Sequence, residues 1–308
     1  MTETRSQHDE MVEAITREVL AALGAGAGTA AGARTAADSS TVPGGDPCLN
    51  CRGACAAQCT PKVRDVVAGG ATRIDFNGRA ADVPADLARY IDHTLLRPDA
   101  TAADIDRLCA EAAEYRFAAV CINPTWVRRA ADNLRGTNVR VASVIGFPFG
   151  AGTSELKSLE ARRAIRDGAR EIDMVINIGA LKGREDAVVL KDIRAVVEAC
   201  KDGRAISKVI LETALLSDDE KVRGCEVSMK AGADYVKTST GFGPGGATVS
   251  DVALMSRTVA ARKLGVKAAG GIRSYADLLK MVEAGATRVG SSSSVKILEE
   301  AVAAGATE

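Results

Sequence analysis

Residues 235–246 are Tyr-Val-Lys-Thr-Ser-Thr-Gly-Phe-Gly-Pro-Gly-Gly, a short apolar run that passes into a glycine-rich loop. A stretch of helical periodicity follows, and then residues 266–271, Val-Lys-Ala-Ala-Gly-Gly, repeat the apolar run and the glycine ending. Two short strands joined by a helix are typical of parallel β pairing. The recurrence of this unit along the chain therefore decides the fold class.

The same alternation extends from about residue 88 to the C-terminus. Runs rich in Val and Ile predict eight strands, at 89–93, 118–123, 140–146, 171–177, 207–212, 235–240, 266–271 and 287–291. Helical patterns lie between them, as at 154–168 and 186–200. Eight such units over residues 86–308 predict an α/β fold, a (β/α)₈ TIM barrel. An open doubly wound sheet is less favoured, because no Gly-x-Gly-x-x-Gly follows the first strand.

The overall composition excludes several classes of protein. Lys+Arg and Asp+Glu both number 40, so the net charge is zero and no overall field attracts nucleic acid or an anionic membrane. No apolar run reaches the roughly 18–20 residues of a membrane span, and the polar start is unlike a secretory signal. These features predict a cytoplasmic protein. Four scattered cysteines, Cys109, Cys121, Cys200 and Cys225, are then expected to be reduced core residues.

The first 85 residues differ from the rest and divide into three segments. Within residues 1–23, apolar side chains at 11, 12, 15, 19, 20 and 23 predict an amphipathic helix over 9–23. Residues 24–47 are mostly Gly, Ala, Ser and Thr and predict a flexible linker. Residues 48–85 contain a cysteine-rich segment and a connector.

The cysteine-rich segment has the spacing Cys48-x₂-Cys51-x₃-Cys55-x₃-Cys59. Four thiolates so close in sequence suit Zn²⁺ or an iron–sulfur cluster. The spacing matches neither a common zinc finger nor a standard ferredoxin, so the metal stays unassigned. Disulfides and unligated thiols are the alternatives.

Functional groups of a barrel lie where its strands end at the C-terminal face. The polar residues at or near those strand ends are Asp92, Asn123, Asp173, Asn177, Glu212, Lys237, Lys267 and residues 291–294. Lys237 lies in a strand bound for the barrel interior, where desolvation and a second cation favour the neutral amine of a Schiff-base nucleophile. Lys267 is on the next strand, and Asp173 could move protons. Phosphate binding by Lys237, and ion pairing by the other two, are the alternatives.

Three glycine- or serine-rich loops follow consecutive strands and predict a phosphate site. They are residues 241–246, 270–271 and 290–294. Barrels often bind phosphate on the backbone N–H groups of the loops after strands seven and eight, and small residues allow close approach. Tight turns that need glycine for their geometry are the alternative.

Several of these segments resemble deoxyribose-phosphate aldolase. They are Lys-Thr-Ser-Thr-Gly at 237–241, Val-Lys-Ala-Ala-Gly-Gly-Ile-Arg at 266–273 and Glu-Ile-Asp-Met-Val at 171–175. Ile-Asp-His-Thr-Leu-Leu at 91–96 and Val-Cys-Ile-Asn-Pro at 120–124 are similar to the first two strands of that family. The resemblance spans about residues 86–300, and its motifs occur in order.

The resemblance implies a class I aldolase that cleaves 2-deoxy-D-ribose 5-phosphate reversibly to D-glyceraldehyde 3-phosphate and acetaldehyde, without a cofactor. Lys237 would form the Schiff base, Lys267 would tune it, and Asp173 would relay protons. The implied substrate-binding residues are Asp92, Thr94, Cys121, Thr240, Gly241, Gly243, Gly270, Gly271, Ser292 and Ser293. A homodimer or other homo-oligomer is expected, with no nucleic acid or membrane partner. One departure is that no tyrosine follows Tyr275, whereas some members end in a tyrosine that assists proton transfer.

The helix and linker at the N-terminus resemble encapsulation peptides of bacterial microcompartment enzymes. Such a helix over 9–23 would bind a groove on a shell protein or on another cargo protein. Packing against the enzyme's own surface is the alternative.

Two other functions remain open at the level of sequence. A sugar-phosphate isomerase or synthase barrel would use Lys237 without covalent chemistry, and it would yield no trapped imine. A microcompartment scaffold would act through the N-terminal segments alone, and the complete Lys–Lys–Asp set argues against it.

Overall fold

The computed structural model describes residues 87–304. The predicted helix at 9–23, the linker and the cysteine cluster Cys48, Cys51, Cys55 and Cys59 lie outside the described residues. No helix within 87–304 is long and apolar enough to cross a membrane.

Eight parallel strands close into a barrel in sequence order, which confirms the predicted TIM barrel. The strands are β1 Ile91–Leu95, β2 Ala119–Ile122, β3 Arg140–Ile145, β4 Glu171–Val175, β5 Ile206–Ile210, β6 Tyr235–Lys237, β7 Gly265–Ala269 and β8 Arg288–Ser291. The helices are α1 Ala102–Tyr115, α2 Val127–Asn133, α3 Ser154–Asp167, α4 Ile178–Lys182, α5 Asp186–Asp202, α6 Asp218–Ala231, α7 Val249–Val259, α8 Tyr275–Glu283 and α9 Ser294–Ala303.

The predicted and observed strands differ mainly at their ends. The first strand starts at Ile91 rather than residue 89, because Leu87–Tyr90 forms a 3₁₀ turn. The sixth ends at Lys237 rather than residue 240, yet its ladder continues briefly, since Thr238 N–H donates to the carbonyl of Lys267 at 3.0 Å. Strand ends depend on neighbouring strands, so local pattern locates them less well than it locates strand centres.

Local sequence also sets where the outer helices begin. The Thr101 side chain accepts from the backbone N–H of Asp104, and the Thr101 backbone N–H donates to the Asp104 carboxylate, a capping box at the start of α1. Ser217 and Glu220 form the same arrangement at the start of α6. These caps satisfy backbone donors that the first helical turn leaves unpaired.

The main core lies between the barrel and the surrounding helices. Alternate strand residues face it, for example Ile172 and Met174 of β4, Val209 of β5 and Val236 of β6. Because side chains of a strand alternate between its two faces, the residues between these point into the barrel. The four scattered cysteines are all buried free thiols, as predicted.

The barrel interior is divided into two unlike halves. On the side of β2 and β3 a small apolar cluster of Leu96, Ala119, Cys121, Ala142 and Val144 fills it. The opposite side holds buried acidic and basic side chains from β4 to β8 and from β1. Buried charges are stable only when they are paired, so their pairing determines the shape of the site above them.

The loop after β3 approaches the end of β4 very closely at Gly150. Its φ is +68°, and a Cβ there would lie 1.8 Å from the carbonyl oxygen of Ile176. Only glycine fits both the left-handed backbone and the contact. This contact fixes the loop after β3 against the rim of the barrel.

Gly150→Ala is therefore expected to lower the free energy of unfolding by about 3 kcal/mol or more, because the added methyl group must displace backbone. Gly152→Ala is the matched control, since no heavy atom lies within 4 Å of a Cβ at Gly152 and its φ is not left-handed. Urea unfolding of both variants checks this. Equal losses in the two variants would contradict the close approach.

Candidate active site

Asp173 of β4 lies at the centre of the charged interior. Its neighbours Ile172 and Met174 face the outer core, so the alternation of the strand points Asp173 inward. Its Oδ2 accepts from the Nζ of Lys237 at 2.8 Å and of Lys267 at 2.7 Å. Its Oδ1 accepts from the Nζ of Lys208 at 2.7 Å. One fully buried carboxylate therefore holds three lysines.

Lys237 and Lys267 lie side by side on adjacent strands, as the sequence predicted. Their Cα atoms are partners in the β6–β7 register. Space for the Lys267 side chain comes from Gly290 of β8, where a Cβ would lie 3.1 Å from the Lys267 Cε. Both amines reach the same carboxylate oxygen, so the two nitrogens are close neighbours.

Below Lys237, six charged side chains form a closed ring of alternating sign, here called the ionic ring. Its members are, in order, Asp92, Lys267, Asp173, Lys208, Glu171 and Arg288. Lys208 contacts Glu171 at 2.6 Å. Arg288 contacts Glu171 at 3.2 Å and Asp92 at 2.6 Å, and Lys267 contacts Asp92 at 2.5 Å. The ring balances three acids against three bases.

The ionic ring keeps its members charged. Burial favours neutral Asp173, but the surrounding lysines, Lys208 first, lower the pKa of Asp173 well below its usual range. Burial also disfavours the ammonium form of Lys267, yet the Asp173 and Asp92 carboxylates outweigh it and raise the pKa of Lys267. Lys267 therefore stays a cation at neutral pH, next to Lys237.

Lys237 stands between the ionic ring and an open cavity of about 340 Å³ at the C-terminal end of the barrel. Of the three lysines that contact Asp173, only Lys237 lines this cavity. Its side chain is 3% exposed, whereas those of Lys208 and Lys267 are 0% exposed. The amine of Lys237 is thus the one that a small molecule in the cavity can reach.

Six of the predicted substrate-binding residues line the cavity: Thr94, Thr240, Gly241, Gly270, Gly271 and Ser292. Gly241, Gly270 and Gly271 all have left-handed φ values. The loops after β6, β7 and β8 therefore meet around one space, as the three loop motifs predicted.

The other four predicted residues lie next to the cavity rather than on its wall. Asp92 belongs to the ionic ring, and the thiol of Cys121 lies 3.9 Å from Asp173 Oδ2, where burial raises the pKa of Cys121. Gly243 lies against the Glu212 carboxylate. The N–H of Ser293 donates to the Ser291 hydroxyl at 2.9 Å. Contact with substrate stays a prediction for all ten residues.

Glu212 has a role that the sequence did not suggest. It follows β5 in a left-handed conformation, φ 58°, and its buried carboxylate accepts from the N–H and hydroxyl of Thr240. The Thr240 hydroxyl in turn accepts from the Phe242 N–H at 3.0 Å. Glu212 thus fixes the loop after β6 at the cavity and occupies the backbone donor of Thr240.

Sequence reasoning missed five charged residues of the site. Lys208, Glu171 and Arg288 complete the ionic ring, and Arg97 and Arg273 line the cavity. The available signal was a basic residue inside an apolar strand, Lys208 in β5 and Arg288 at the start of β8. Functional groups are expected at strand ends, whereas these two residues lie deeper in the barrel.

Metal chemistry finds no support in the part of the chain that the structure describes. No group of three or more His, Cys, Asp or Glu side chains there could hold a metal ion. The acidic oxygens of the ionic ring are all turned toward lysine or arginine nitrogens, which repel a cation. The predicted metal site at Cys48–Cys59 is outside these residues and stays a prediction.

Comparison with known proteins places the barrel in one group. A family model described as DeoC/LacD family aldolase matches residues 87–306. Deoxyribose-phosphate aldolase of Geobacillus sp. (strain WCH70) is 58% identical over 214 residues, which cover 70% of this chain and 95% of that protein. Deoxyribose-phosphate aldolase of Listeria innocua serovar 6a is 57% identical over 212 residues, covering 69% of this chain and 94% of that protein.

Solved structures agree with the sequence comparison. The tetrameric deoxyribose phosphate aldolase of Aeropyrum pernix superposes with a TM-score of 0.67 at 36% identity. The superposition covers 77% of this chain and 96% of that one. Both kinds of comparison therefore cover nearly the whole length of these relatives.

Lys208→Met is expected to lower the free energy of unfolding by about 3–5 kcal/mol, because Asp173 and Glu171 lose a buried cation. Since the pKa of Asp173 is depressed, its ion pairs stabilise the fold above the ordinary aspartate pKa of about 3.9 and are lost only below it. The loss should therefore be constant from pH 7 to about pH 4 and shrink in stronger acid. Urea unfolding across this range measures it.

Lys191→Met is the control for that variant. Its pair with Glu155 is 72% exposed on both sides, so removal should change stability by less than about 1 kcal/mol. If Lys208→Met were no more costly than this control, the ionic ring would not be a stabilising unit.

Proposed function

Because the chain belongs to the DeoC/LacD family of aldolases, we propose that it is a class I aldolase that cleaves 2-deoxy-D-ribose 5-phosphate. The products are D-glyceraldehyde 3-phosphate and acetaldehyde, and the reaction is reversible. The main support is the position of Lys237. This residue borders the cavity, and its Nζ contacts Asp173 beside Lys267. A nucleophile, an acid/base group and a fixed cation thus meet at one point.

The charges of the ionic ring are balanced without Lys237, since the ring pairs three positive with three negative groups. Of the three lysines at Asp173, Lys237 is the one outside the ring, and its Nζ contacts the Asp173 oxygen that also holds Lys267. The Schiff-base reaction uses the neutral form of this amine.

The reaction begins when the neutral Nζ of Lys237 attacks C1 of the open-chain aldehyde. The carbinolamine then loses water and leaves an iminium ion, which attracts electrons from the neighbouring carbons. The Asp173 carboxylate lies at the nitrogen, where it stabilises the new positive charge. Asp173 and Lys267 together exchange protons with water.

The carbon count identifies the bond that breaks. Two-carbon acetaldehyde and three-carbon glyceraldehyde 3-phosphate result only from cleavage between C2 and C3. The C3 hydroxyl loses its proton, its electrons form the new carbonyl, and the C2–C3 pair moves into the iminium to give an enamine. Protonation of the enamine at C2 and hydrolysis then release acetaldehyde and restore Lys237.

A water molecule held by Asp173 and Lys267 is proposed to move the C2 proton. These two groups are adjacent to Lys237 and have opposite charges, so together they can orient a water and pass its proton on. The last tyrosine of the sequence is Tyr275, which is buried at the start of α8. It does not line the cavity, so the proposal assigns it no proton transfer.

The phosphate group is proposed to bind at the loops after β7 and β8. Gly270, Gly271 and Ser292 line the cavity there with small residues, and the exposed Arg273 adds a positive charge. The carboxylate of Glu212 occupies the Thr240 N–H and would repel an anion on its own side. The loops after β7 and β8 are therefore the favoured cradle.

We also propose that the enzyme is a cytoplasmic homo-oligomer held in a bacterial microcompartment. The amphipathic pattern at 9–23 and the small-residue linker at 24–47 support docking to a shell protein or co-cargo. The Aeropyrum pernix relative is tetrameric, which supports self-association. Confinement would keep acetaldehyde, which is reactive and volatile, from leaving.

Borohydride reduction in the presence of 2-deoxyribose 5-phosphate is expected to attach the reduced adduct to Lys237. No adduct is expected on Lys267, because its amine is fully buried and contacts two carboxylates. Peptide mass mapping locates the adduct. An active, folded sample without an adduct would favour a non-covalent isomerase or synthase instead.

Lys237→Ala should lower kcat by at least about a thousandfold, because no other lysine borders the cavity to replace the nucleophile. Circular dichroism and the thermal midpoint establish that the variant is folded. Lys191→Met, on the exposed surface, is the matched control and should keep full activity. Substantial turnover by Lys237→Ala would reject the Schiff-base assignment.

Removal of residues 1–60 should leave kcat and KM largely unchanged, because the family match begins only at residue 87. Steady-state assays of the full and shortened chains measure this. In cells, the shortened chain should no longer sediment with compartment shells. A folded but inactive shortened chain would mean that the N-terminal segments take part in catalysis.

A further inference from the structure

A second cavity lies at the N-terminal end of the barrel, opposite the one that Lys237 borders. It is called the basal cavity here and has a volume of about 720 Å³. Its walls come from the end of α1, the starts of β2, β3 and β8, and residues 136–139. Pockets of this size accommodate metabolites of nucleotide size.

The basal cavity is strongly basic. Four arginines line it, Arg89, Arg116, Arg140 and Arg288, and none of the described residues on its walls is acidic. A neutral chain has no general surplus of positive charge, so this is a local concentration. Guanidinium groups match phosphate oxygens with paired N–H donors, and convergent arginines are typical of phosphate recognition.

Part of this positive charge has no acidic partner among the described residues. Within residues 87–304, Arg116 makes no ion pair, and Arg140 has one long contact of 3.4 Å with Glu171. Arg288 is buried, and its hydrogen bonds to Asp92 and Glu171 all use Nη1. Its Nε and Nη2 therefore remain for a ligand, while the ionic ring holds the side chain in place.

We propose that the basal cavity binds a small phosphorylated metabolite through its phosphate groups. Arg288 is the rigid donor at the floor, because the ionic ring and the Tyr235 ring, 5.8 Å from its guanidinium carbon, fix its position. Arg116 and Arg140 are exposed at the rim and close on the anion. The site is separate from the cavity at Lys237 and does not depend on the aldolase reaction.

Arg288 connects the basal cavity to the catalytic residues. Its partner Asp92 also forms an ion pair with Lys267. Lys267 in turn contacts the Asp173 oxygen that accepts from Lys237. An anion bound to Arg288 thus acts on a group that is two ion pairs away from Lys267. Occupancy of the basal cavity has a physical route to the amine that reacts.

Calorimetric titration of the full chain with inorganic pyrophosphate tests the proposal. Binding is expected, and Arg116→Gln/Arg140→Gln should weaken it by at least about tenfold, because two charge-assisted contacts are lost. Arg162→Gln/Arg163→Gln is the matched control: both arginines are exposed on α3 and the net charge changes equally. Weakening by the control to the same degree would overturn the proposal, since binding would then follow overall charge.

A third variant separates the basal cavity from the predicted substrate phosphate site. Ser292→Asp places a negative charge in the cavity that Lys237 borders. It should leave the pyrophosphate affinity within about twofold of that of the unchanged protein, because the two cavities lie at opposite ends of the barrel. Loss of binding in Ser292→Asp with retention in Arg116→Gln/Arg140→Gln would overturn the proposal. So would the absence of any binding to the full chain. Arg116→Gln alone, which breaks no ion pair, serves if the double variant fails to fold.

Discussion

The carboxylate of Asp173 is the constraint on which the rest of the active centre depends. It is fully buried and accepts hydrogen bonds from three lysines, so its negative charge depends on them for compensation. Lys208 fixes one oxygen from below, and Lys237 and Lys267 share the second. The amine of Lys237 is thereby held at the cavity, beside Lys267, before any small molecule binds. Preorganisation of this kind removes most of the reorganisation that a charged intermediate would otherwise require.

The same constraint explains why the barrel interior is divided. Small apolar residues fill the side of β2 and β3, whereas the other strands supply the ionic ring. Concentrating all charge on one side allows each acid to contact at least two bases. Gly290 contributes because it has no side chain, and a larger residue there would crowd Lys267. Arg288 closes the ring and also borders the basal cavity, so one buried network extends from the N-terminal to the C-terminal end of the barrel.

Much of the site followed from local sequence because parallel strands end at the same face. Lys237 and Lys267 occupy equivalent positions in successive strand–loop units, and their register confirms that they are neighbours. The three small-residue loops were likewise expected to converge. Lys208 and Arg288 were not found, since their partners are 35 and 196 residues away in sequence and only closure of the barrel joins β8 to β1. Ser293 shows the converse limit: it matches the motif, but its backbone N–H donates to the Ser291 hydroxyl of the protein itself.

The sequence by itself determined the kind of fold and the family, and it predicted the lysine at the centre of the proposed chemistry. Strand periodicity, the helical connections between strands and the order of the motifs are local properties of the chain. They are therefore visible without the tertiary structure. Only the tertiary structure decided which side chains share an oxygen, which lysine borders the cavity, and where unused positive charge collects. Those properties depend on the stagger of eight strands around a closed barrel, which places residues from opposite ends of the chain in contact. No local pattern contains that information.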